Sequence, residues 1–399
     1  MRLVIDGQRL TAERTGVGRC LEGLLEEWAA TGLPMAEAVV VLRDPRGRER
    51  VPKAEGLTAK VVGAGWPGLA WECLGLRREL RPDDLLFAPA NLVPPNWRGR
   101  TVLVLYDTLP WSVPESFPWH VRLRFGGRYR LAARRAERVL VPSRATARDV
   151  ARVHGVAPER LRVVVPGPDP GFRPRPHDSE AVRAARLALS LDDAPFFLFV
   201  GKRSRRRNVP AILDAFARHR RRHPAHRLVF VGPGDRDDLP GPDAGVVRAG
   251  HAAEPVLRGL LADALALLYP SNYEGFGLPV VEALASGCPV VTLRNSALTE
   301  AGGDAPWYLD APAPVALARA LDVLANDPEA RAERVAKGLA HVARHSRARF
   351  AAAVRDELIA AATGITDGPA PTAPAGSSAP CPRRSTGGPD RAACGYKDS

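Results

Sequence analysis

The first 360 residues alternate short apolar runs with longer stretches in which apolar positions recur three and four residues apart. Apolar runs of this length are typical of strands buried in a parallel sheet, and the three-and-four spacing predicts amphipathic helices. The alternation therefore predicts an α/β fold in which helices cover both faces of parallel sheets. The predicted strands of the first half are residues 3–5, 38–42, 60–62, 85–87, 101–106, 139–141 and 162–165, and those of the second half are residues 196–200, 228–231, 246–247, 265–268 and 289–291.

A stretch rich in proline and glycine, residues 166–176, separates the two halves and marks a domain boundary. A chain of 399 residues is long enough for two domains that each bury a core. We therefore predict doubly wound, Rossmann-like domains at residues 1–172 and 191–346, joined through residues 173–190. Residues 363–399 contain mostly Pro, Gly, Ser, Ala and Thr, which predicts a disordered tail whose deletion spares activity.

Residues 265–291 predict a strand, a glycine turn, a short helix and a second strand in direct succession. Glu274 lies in the turn and Glu282 about one turn into the helix, so both acids are expected near the helix N-terminus. Free N–H groups there attract anions, and a carboxylate beside them can accept hydrogen bonds from sugar hydroxyls. Taken singly, a solvated turn residue and a partner of the helix dipole explain the two acids equally well.

The segment 274–282 resembles the E-x7-E motif of the retaining GT-B glycosyltransferases, particularly glycosyltransferase family 4, and the resemblance extends over residues 1–362. It implies a GT-B fold, in which two Rossmann-like doubly wound domains face an interdomain cleft and a last helix, residues 347–362, packs back on the first domain. It also implies that Glu274 faces the donor sugar and that Glu282 binds the ribose of the nucleotide. The turn that would lie against the sugar and the phosphates comprises Gly275, Phe276, Gly277 and Leu278.

A cluster of basic residues follows the first strand of the second half, at the edge of the sheet where ligands bind in parallel α/β folds. A solvated loop is the simpler interpretation of such a cluster. The family resemblance implies instead that Lys202 and Arg207 neutralise the donor diphosphate, with Gly201 in the same turn. Arg207 stands where the family more often has lysine. The resemblance also places Gly232 in a turn near the nucleotide base.

The first half contributes two further candidate segments. Gly16, Gly18 and Arg19 resemble the family loop at the mouth of the cleft, although a simple connection between strand and helix is the commoner explanation of two glycines. Tyr106 and Asp107 lie at the end of the strand at residues 101–106, where the family usually has His-Asp. Tyrosine can donate a hydrogen bond, but its pKa of about 10 makes it a poorer proton carrier than histidine. Its role is therefore positional, or the activity is altered or lost.

No metal and no cofactor are predicted beyond a UDP- or GDP-sugar donor. The five cysteines, at positions 20, 73, 288, 381 and 394, lack zinc-site spacing. Asp235 and Asp237 form an Asp-x-Asp pair, which we interpret as an acidic surface turn and not as a metal site in this two-domain context.

The net charge of +13 has no accompanying nucleic-acid motif, so no nucleic-acid partner is predicted. The arginine-rich segment 119–138 predicts either a solvated helix or a surface for an anionic membrane or a phosphorylated lipid acceptor. The chain starts directly with a strand and has no apolar run of eighteen residues. These features predict a cytoplasmic protein, either free or peripheral to the inner face of the cell membrane.

Together the patterns and the resemblance predict a retaining, metal-independent transfer of a hexose-type sugar to the hydroxyl of a saccharide or a lipid-linked acceptor, in surface polysaccharide or glycolipid assembly. The rival hypothesis is a catalytically degenerate GT-B subunit that binds a partner or a sugar nucleotide without turnover. Tyr106 and the pair Pro166-Gly167, which replaces the Asn-Gly of the family, favour the rival slightly. The set of Glu274, Glu282, Lys202 and Arg207 opposes it.

Overall fold

The computed structural model describes residues 1–11, 15–117, 119–234 and 239–364, and within them the chain forms two parallel sheets. Asp235, Asp237 and most of the predicted tail, residues 365–399, lie outside the described residues. The first sheet has the strand order β3-β2-β1-β4-β5-β6-β7. Its strands are β1 (Leu3–Asp6), β2 (Ala38–Leu42), β3 (Leu57–Val61), β4 (Leu85–Ala88), β5 (Thr101–Val104), β6 (Arg138–Val141) and β7 (Leu161–Val163).

Helices pack on both faces of this sheet, as its continuous apolar strands require. Helix α1 follows β1 directly, and the side chain of Thr15 caps it by accepting a hydrogen bond from the Gly18 N–H. Gly16 and Gly18 therefore lie in the first turn of a helix and not in a loop, which corrects the sequence-based prediction. The helices are α1 (Gly16–Thr31), α2 (Gly68–Ala70), α3 (Arg77–Glu79), α4 (Leu109–Ser112), α5 (Trp119–Arg135) and α6 (Arg144–His154), with a π-helical turn, Trp71–Leu76, between α2 and α3.

The second sheet has the strand order β10-β9-β8-β11-β12-β13 and is also parallel. Its strands are β8 (Phe196–Val200), β9 (Arg227–Val231), β10 (Val246–Gly250), β11 (Ala266–Tyr269), β12 (Val290–Leu293) and β13 (Trp307–Leu309). Strand β13 was not predicted, because it is a three-residue edge strand whose two aromatic side chains are only half-buried. The helices are α7 (Glu180–Leu187), α8 (Val209–Arg220), α9 (Glu254–Asp263), α10 (Leu278–Ala285), α11 (Leu298–Gly302), α12 (Pro314–Asn326), α13 (Pro328–Val342) and α14 (Arg347–Thr363).

Helix α14 lies on the first domain although it follows the second in the chain. Phe350, Val354 and Leu358 are buried in the core of the first sheet, and the Trp28 indole N–H donates to the Ala351 carbonyl over 2.9 Å. Residues 313–346 form two helices, α12 and α13, which are divided at Asp327, whose side chain caps α13. None of the described helices has both the length and the apolar character that a membrane span needs.

Strand order reverses direction between β1 and β4 in the first sheet and between β8 and β11 in the second. Such switch points leave a crevice at the carboxyl ends of the strands, which is where open α/β sheets bind ligands. The loops after β1, β5, β8 and β11 carry most of the candidate residues, so the topology brings residues that are far apart in sequence to two facing edges.

Candidate active site

The two domains are in close contact at Gly275, in the turn after β11. A Cβ atom on this residue would lie 1.8 Å from the Tyr106 carbonyl oxygen of the opposite domain, so only glycine fits. The Gly275 carbonyl accepts hydrogen bonds from the hydroxyls of Ser143 and Thr146, each over 2.7 Å. Both hydroxyls lie at the start of α6. The turn of the E-x7-E segment is thus in direct contact with the first domain.

Glu300 makes a second contact across the domains. Its two carboxylate oxygens accept from the backbone N–H groups of Arg144 and Ala145, each over 2.8 Å, in the first turn of α6. An acid at a helix N-terminus satisfies N–H groups that have no partner within the helix and interacts favourably with the dipole. A residue of the second domain therefore stabilises a helix of the first.

Glu274 is the centre of a buried hydrogen-bond network at the switch point of the second sheet. Its Oε1 atom accepts from Arg207 Nε over 3.2 Å, from the Tyr269 hydroxyl over 2.8 Å, and from Arg206 Nη1. Within the part of the chain that the structure describes, Oε2 accepts no hydrogen bond. Burial alone would raise the pKa of Glu274, but the charges of Arg207 and Arg206 outweigh it and lower the pKa below its usual value. The carboxylate is therefore ionised and has one oxygen available.

Contacts with neighbouring residues fix the position of the Arg207 guanidinium group. Its guanidinium lies over the Tyr269 ring at 5.2 Å, and Nη1 donates to the Lys202 carbonyl over 3.1 Å. The Gly201 position must be glycine, because a Cβ there would lie 1.9 Å from Arg207 Nη1 and the backbone φ is 124°. Gly232 has a similar role, since its Cβ would lie 2.4 Å from the Gly201 carbonyl oxygen.

Lys202 differs from Arg207 in being exposed. Its ammonium group has no ion-pair or hydrogen-bond partner among the described residues. The structure therefore separates the two basic residues that the sequence grouped together: Arg207 is fixed by protein contacts, and Lys202 is available to an incoming anion.

Glu282 lies in helix α10 and faces the first domain. Its Oε1 pairs with Arg19 Nη2 over 2.8 Å, and its buried Oε2 has no hydrogen-bond partner within the described residues. Burial raises the pKa of Glu282 to about 7, although Arg19 opposes the shift. The pairing of Arg19 with Glu282 joins the start of α1 to α10 across the cleft.

A cavity of about 320 Å³ opens beside Glu282, a size typical of the smaller ligand sites. Gly16, Arg19, Leu278 and Glu282 of the sequence-predicted set line it, together with Glu254 and Arg258, which were not predicted. The cavity therefore lies between the two domains and combines acids and arginines from both.

Tyr106 and Asp107 are close neighbours in sequence but face different groups. The Tyr106 hydroxyl lies near the Cys20 thiol on α1, and burial raises the pKa of Tyr106 well above the usual value. Asp107 accepts from the Leu109 N–H over 3.0 Å. Burial raises the pKa of Asp107, and the charge of Glu274 raises it further. The charge of Glu274 therefore acts on Asp107 across the cleft, whereas the hydroxyl of Tyr106 faces α1 of its own domain.

Two residues of the predicted turn have structural positions. Phe276 is 5% exposed and packs in the core of the second domain, so only its backbone is available to a ligand. Gly277 has a φ of 113° and precedes α10, a conformation that glycine adopts without strain.

The carboxyl edge of the first sheet holds a second group of buried acids. Asp6 ends β1, and burial raises its pKa to about 7. Glu72 is 3% exposed and pairs with Arg128 of α5. Burial raises the pKa of Glu72 despite this partner. Asp6 and Asp107 therefore lie at the carboxyl edge of the first sheet, and the charge of Glu72 also raises the pKa of Asp6.

Two family profiles match this chain in succession. The profile of Glycosyltransferase Family 4 matches residues 14–172, and that of Glycosyl transferases group 1 matches residues 194–327. The boundary between them falls in the segment that joins the two sheets. The chain belongs to the GT-B group 1 glycosyltransferases.

Solved structures of GT-B glycosyltransferases share its fold. The Anabaena protein HepE, solved in complex with UDP and glucose, superposes with a TM-score of 0.69 at 18% identity over 90% of this chain and 99% of its own. The glycosyltransferase WaaG, described as involved in lipopolysaccharide biosynthesis, has a TM-score of 0.68 at 16% identity over 89% of this chain and 99% of its own. At these identities the likeness establishes the fold alone.

Curated relatives of this group 1 glycosyltransferase match over part of its length. The D-inositol 3-phosphate glycosyltransferase of Acidothermus cellulolyticus is 34% identical over 52% of this chain and 50% of its own. The MMP alpha-(1->4)-mannosyltransferase of Mycolicibacterium hassiacum is 32% identical over 48% of this chain and 45% of its own. The chain thus spans about half the length of the curated relatives it matches.

Sequence reasoning missed several residues of this group 1 site. Arg206 and Tyr269 complete the Glu274 network, and Glu300 joins the domains. Tyr269 ends a buried strand directly before the E-x7-E segment, which is a signal that could have identified it. Arg206 was hidden among adjacent arginines, because sequence does not show which of them turns inward.

Proposed function

We propose that this protein transfers a hexose-type sugar from a nucleotide-diphosphate sugar to an acceptor hydroxyl, with retention of configuration and without a metal ion. The observation that carries the proposal is the buried network of Glu274, Arg206, Arg207 and Tyr269 at the switch point of the second sheet. It leaves Glu274 Oε2 without a partner among the described residues, while Lys202 is exposed in the loop of Arg207 and the charge of Glu274 raises the pKa of Asp107 in the first domain.

The proposed chemistry follows from where charge develops. Cleavage of the anomeric C–O bond places negative charge on the leaving diphosphate and positive charge on the sugar ring. Lys202, free to move, and Arg207, fixed by Glu274 and Tyr269, would stabilise the former, and such preorganised charge is often the largest contribution to catalysis. The acceptor oxygen attacks from the same face, and its proton passes to the leaving phosphate oxygen.

We assign the two acids of the E-x7-E segment to different parts of the donor. Glu274 Oε2 would accept a hydrogen bond from a sugar hydroxyl. Glu282 Oε2, buried without a partner in the described chain, would accept one from a ribose hydroxyl in the adjoining cavity. A buried acceptor without a partner costs free energy, so a ligand hydroxyl there gains affinity. Uracil is the base we favour over guanine, since the Anabaena protein of the same fold was solved with UDP-glucose.

The acceptor would enter at the carboxyl edge of the first sheet, where Asp6, Glu72 and Asp107 can orient hydroxyl groups. We propose a saccharide or lipid-linked acceptor of surface polysaccharide or glycolipid assembly. Helix α5 supports a lipid-linked acceptor or peripheral contact with an anionic membrane, because it is rich in arginine and begins with Trp119, which is 73% exposed.

The first test combines binding and turnover. The melting temperature and release of free nucleoside diphosphate are measured with a panel of UDP-, GDP- and dTDP-sugars, in chelator, with saccharide and lipid-linked acceptors. We expect one donor to raise the melting temperature and to be consumed, and Glu282→Ala to lose both effects. Lys202→Ala should lower kcat/KM by about 100-fold, as removal of a single transition-state donor does.

Arg205→Ala is the matched control, since Arg205 is an exposed cation of the same loop. It should keep both binding and turnover. If a donor binds but is not consumed with any of the acceptors, the result would favour the hypothesis of a catalytically degenerate subunit. If no nucleotide sugar binds, the assignment of the donor site is wrong.

A further inference from the structure

Three histidines cluster at the end of α8, far from the cleft. His219 lies in the last turn of the helix with its ring fully buried, and His223 and His226 lie in the connection to β9, each half-buried. One ring nitrogen from each lies within 4.8 Å of the others. The rings of His219 and His223 stack at 4.5 Å, and those of His223 and His226 at 4.9 Å.

Asp322 of α12 orients the buried histidine. Its Oδ1 lies 2.6 Å from His219 Nδ1, so the Nδ1 proton points at the carboxylate and the lone pair of Nε2 points at the other rings. His226 Nδ1 lies 2.9 Å from this Nε2 atom. A carboxylate that fixes the tautomer of a ligating histidine in this way is a common feature of metal sites.

We propose that His219, His223 and His226 form a binding site for a divalent transition metal ion, with zinc as the preferred ion and water completing the coordination. Neutral imidazole suits zinc, copper and nickel. Zinc–nitrogen bonds of about 2.0–2.1 Å place tetrahedral ligands roughly 3.3 Å apart. His219 Nε2 and His226 Nδ1 are 2.9 Å apart, and the three ligand nitrogens all lie within 4.8 Å of one another, so their separations are close to this spacing.

Binding of the ion requires a change of tautomer at His226. In the metal-free protein, His226 Nδ1–H donates to His219 Nε2. When the ion binds, the proton of His226 moves to Nε2 of the same ring, so both facing nitrogens present lone pairs.

The local charges oppose tight binding in part. Arg222 pairs with the Oδ2 atom of Asp322, and Arg220 donates to the Asp243 carbonyl. The ion would therefore bind in a neighbourhood that is already positive, offset by one carboxylate. Asn326 also lies 3.2 Å from His223 Nε2, so this contact must break or His223 must bind through its other nitrogen.

A metal here would join the end of α8 to the start of β9 and, through Asp322, to α12. Helix α8 has 12 residues, so the site lies on the order of 18 Å from the Arg207 end of the same helix. The role we assign is therefore stabilisation of the second domain and not chemistry on the donor. The sequence analysis predicted no metal, although the spacing His219-x3-His223-x2-His226 was the available signal.

The test uses the full chain without a histidine tag, treated with chelator and dialysed. Zinc chloride is titrated by calorimetry at pH 7.5, and thermal unfolding is recorded at each concentration. We expect one saturable site per chain and, at 100-fold excess over Kd, a rise in melting temperature of roughly 5 °C. Less than one ion per chain, or a melting temperature that zinc leaves unchanged, would overturn the proposal.

Variants locate the ion. His223→Ala and His226→Ala should abolish binding, and Asp322→Asn should weaken it by about 10–100-fold, because it removes only the orienting carboxylate. His219 is left intact, since its fully buried ring also packs against Phe197. Circular dichroism without zinc checks that each variant is folded.

The matched control is the double variant His341→Ala/His345→Ala, which removes another close pair of rings, 4.9 Å apart, from the same domain. It keeps every cysteine, so it also controls for thiol binding. The control should bind zinc as the wild type does. Equal binding by His223→Ala and wild type, or loss of binding in the control alone, would show that the ion binds elsewhere.

Discussion

Replacement of Glu274 by glutamine tests whether the carboxylate charge holds the donor site together. Glutamine keeps the shape and one carbonyl oxygen but removes the negative charge. Arg206 and Arg207, whose side chains are only 12% and 11% exposed, would then lose their counter-ion. The Tyr269 hydroxyl would keep an acceptor of lower strength.

The expected loss is set by the cost of an unpaired buried charge. Removal of one partner from a buried ion pair costs about 3–5 kcal/mol. The remaining carbonyl oxygen offsets part of this, so we expect Glu274→Gln to lower the free energy of unfolding of the second domain by about 3 kcal/mol. For a domain of this size, that corresponds to a fall in melting temperature of roughly 6–12 °C.

Urea unfolding followed by tryptophan fluorescence measures this difference as a shift of the midpoint at constant slope. Asp214→Asn is the control, since it breaks an exposed i,i+4 pair with Arg218, which is worth about 0.3–0.5 kcal/mol. Pyrophosphate should restore more stability to Glu274→Gln than to the wild type, because it supplies the missing negative charge. A variant as stable as the control, with no extra response to pyrophosphate, would refute the ion-pair reasoning.

Two further predictions concern the contacts between domains. Glu300→Ala removes the acceptor of two N–H groups at the start of α6 and should destabilise the closed form by about 1–2 kcal/mol. Donor binding, measured by calorimetry, should therefore weaken by about 5–30-fold, and X-ray scattering should show a larger radius of gyration. Glu329→Ala, an exposed acid in the first turn of α13, is its control and should change neither quantity. For Glu282, the folded pKa of about 7 exceeds the usual 4.5, so the protonated acid is favoured by folding, and this stability is lost as the pH rises through 7. The free energy of unfolding of the wild type, obtained from thermal melts, should therefore fall relative to that of Glu282→Gln by up to roughly 3 kcal/mol between pH 5 and 8.5, and parallel pH profiles would contradict the assignment.

The hydrophobic pattern of the chain alone predicted the fold class. Buried parallel strands show continuous apolar runs, so strands such as β2 and β8 were predicted with the bounds that the structure gives them. The short edge strand β13 was not, because partial exposure weakens the apolar signal. The break between α12 and α13 at Asp327 is not visible in the pattern either, since helical periodicity continues on both sides of a capped turn.

The site divides in the same way between sequence and structure. The family resemblance singled out Glu274, Glu282, Lys202 and Arg207, because it rests on short motifs whose residues and spacing can be read directly in the sequence. The sequence also determined the two-domain GT-B class and the family.

Only the tertiary structure decided which groups face each other. It turned Arg206 inward and left Lys202 exposed, and it brought Arg19 to Glu282 from a position more than 260 residues away. It also assembled Asp322 with the three histidines from separate helices. Such pairings depend on how strands and helices pack, and a linear pattern holds information on periodicity and local spacing but not on the partners that packing selects.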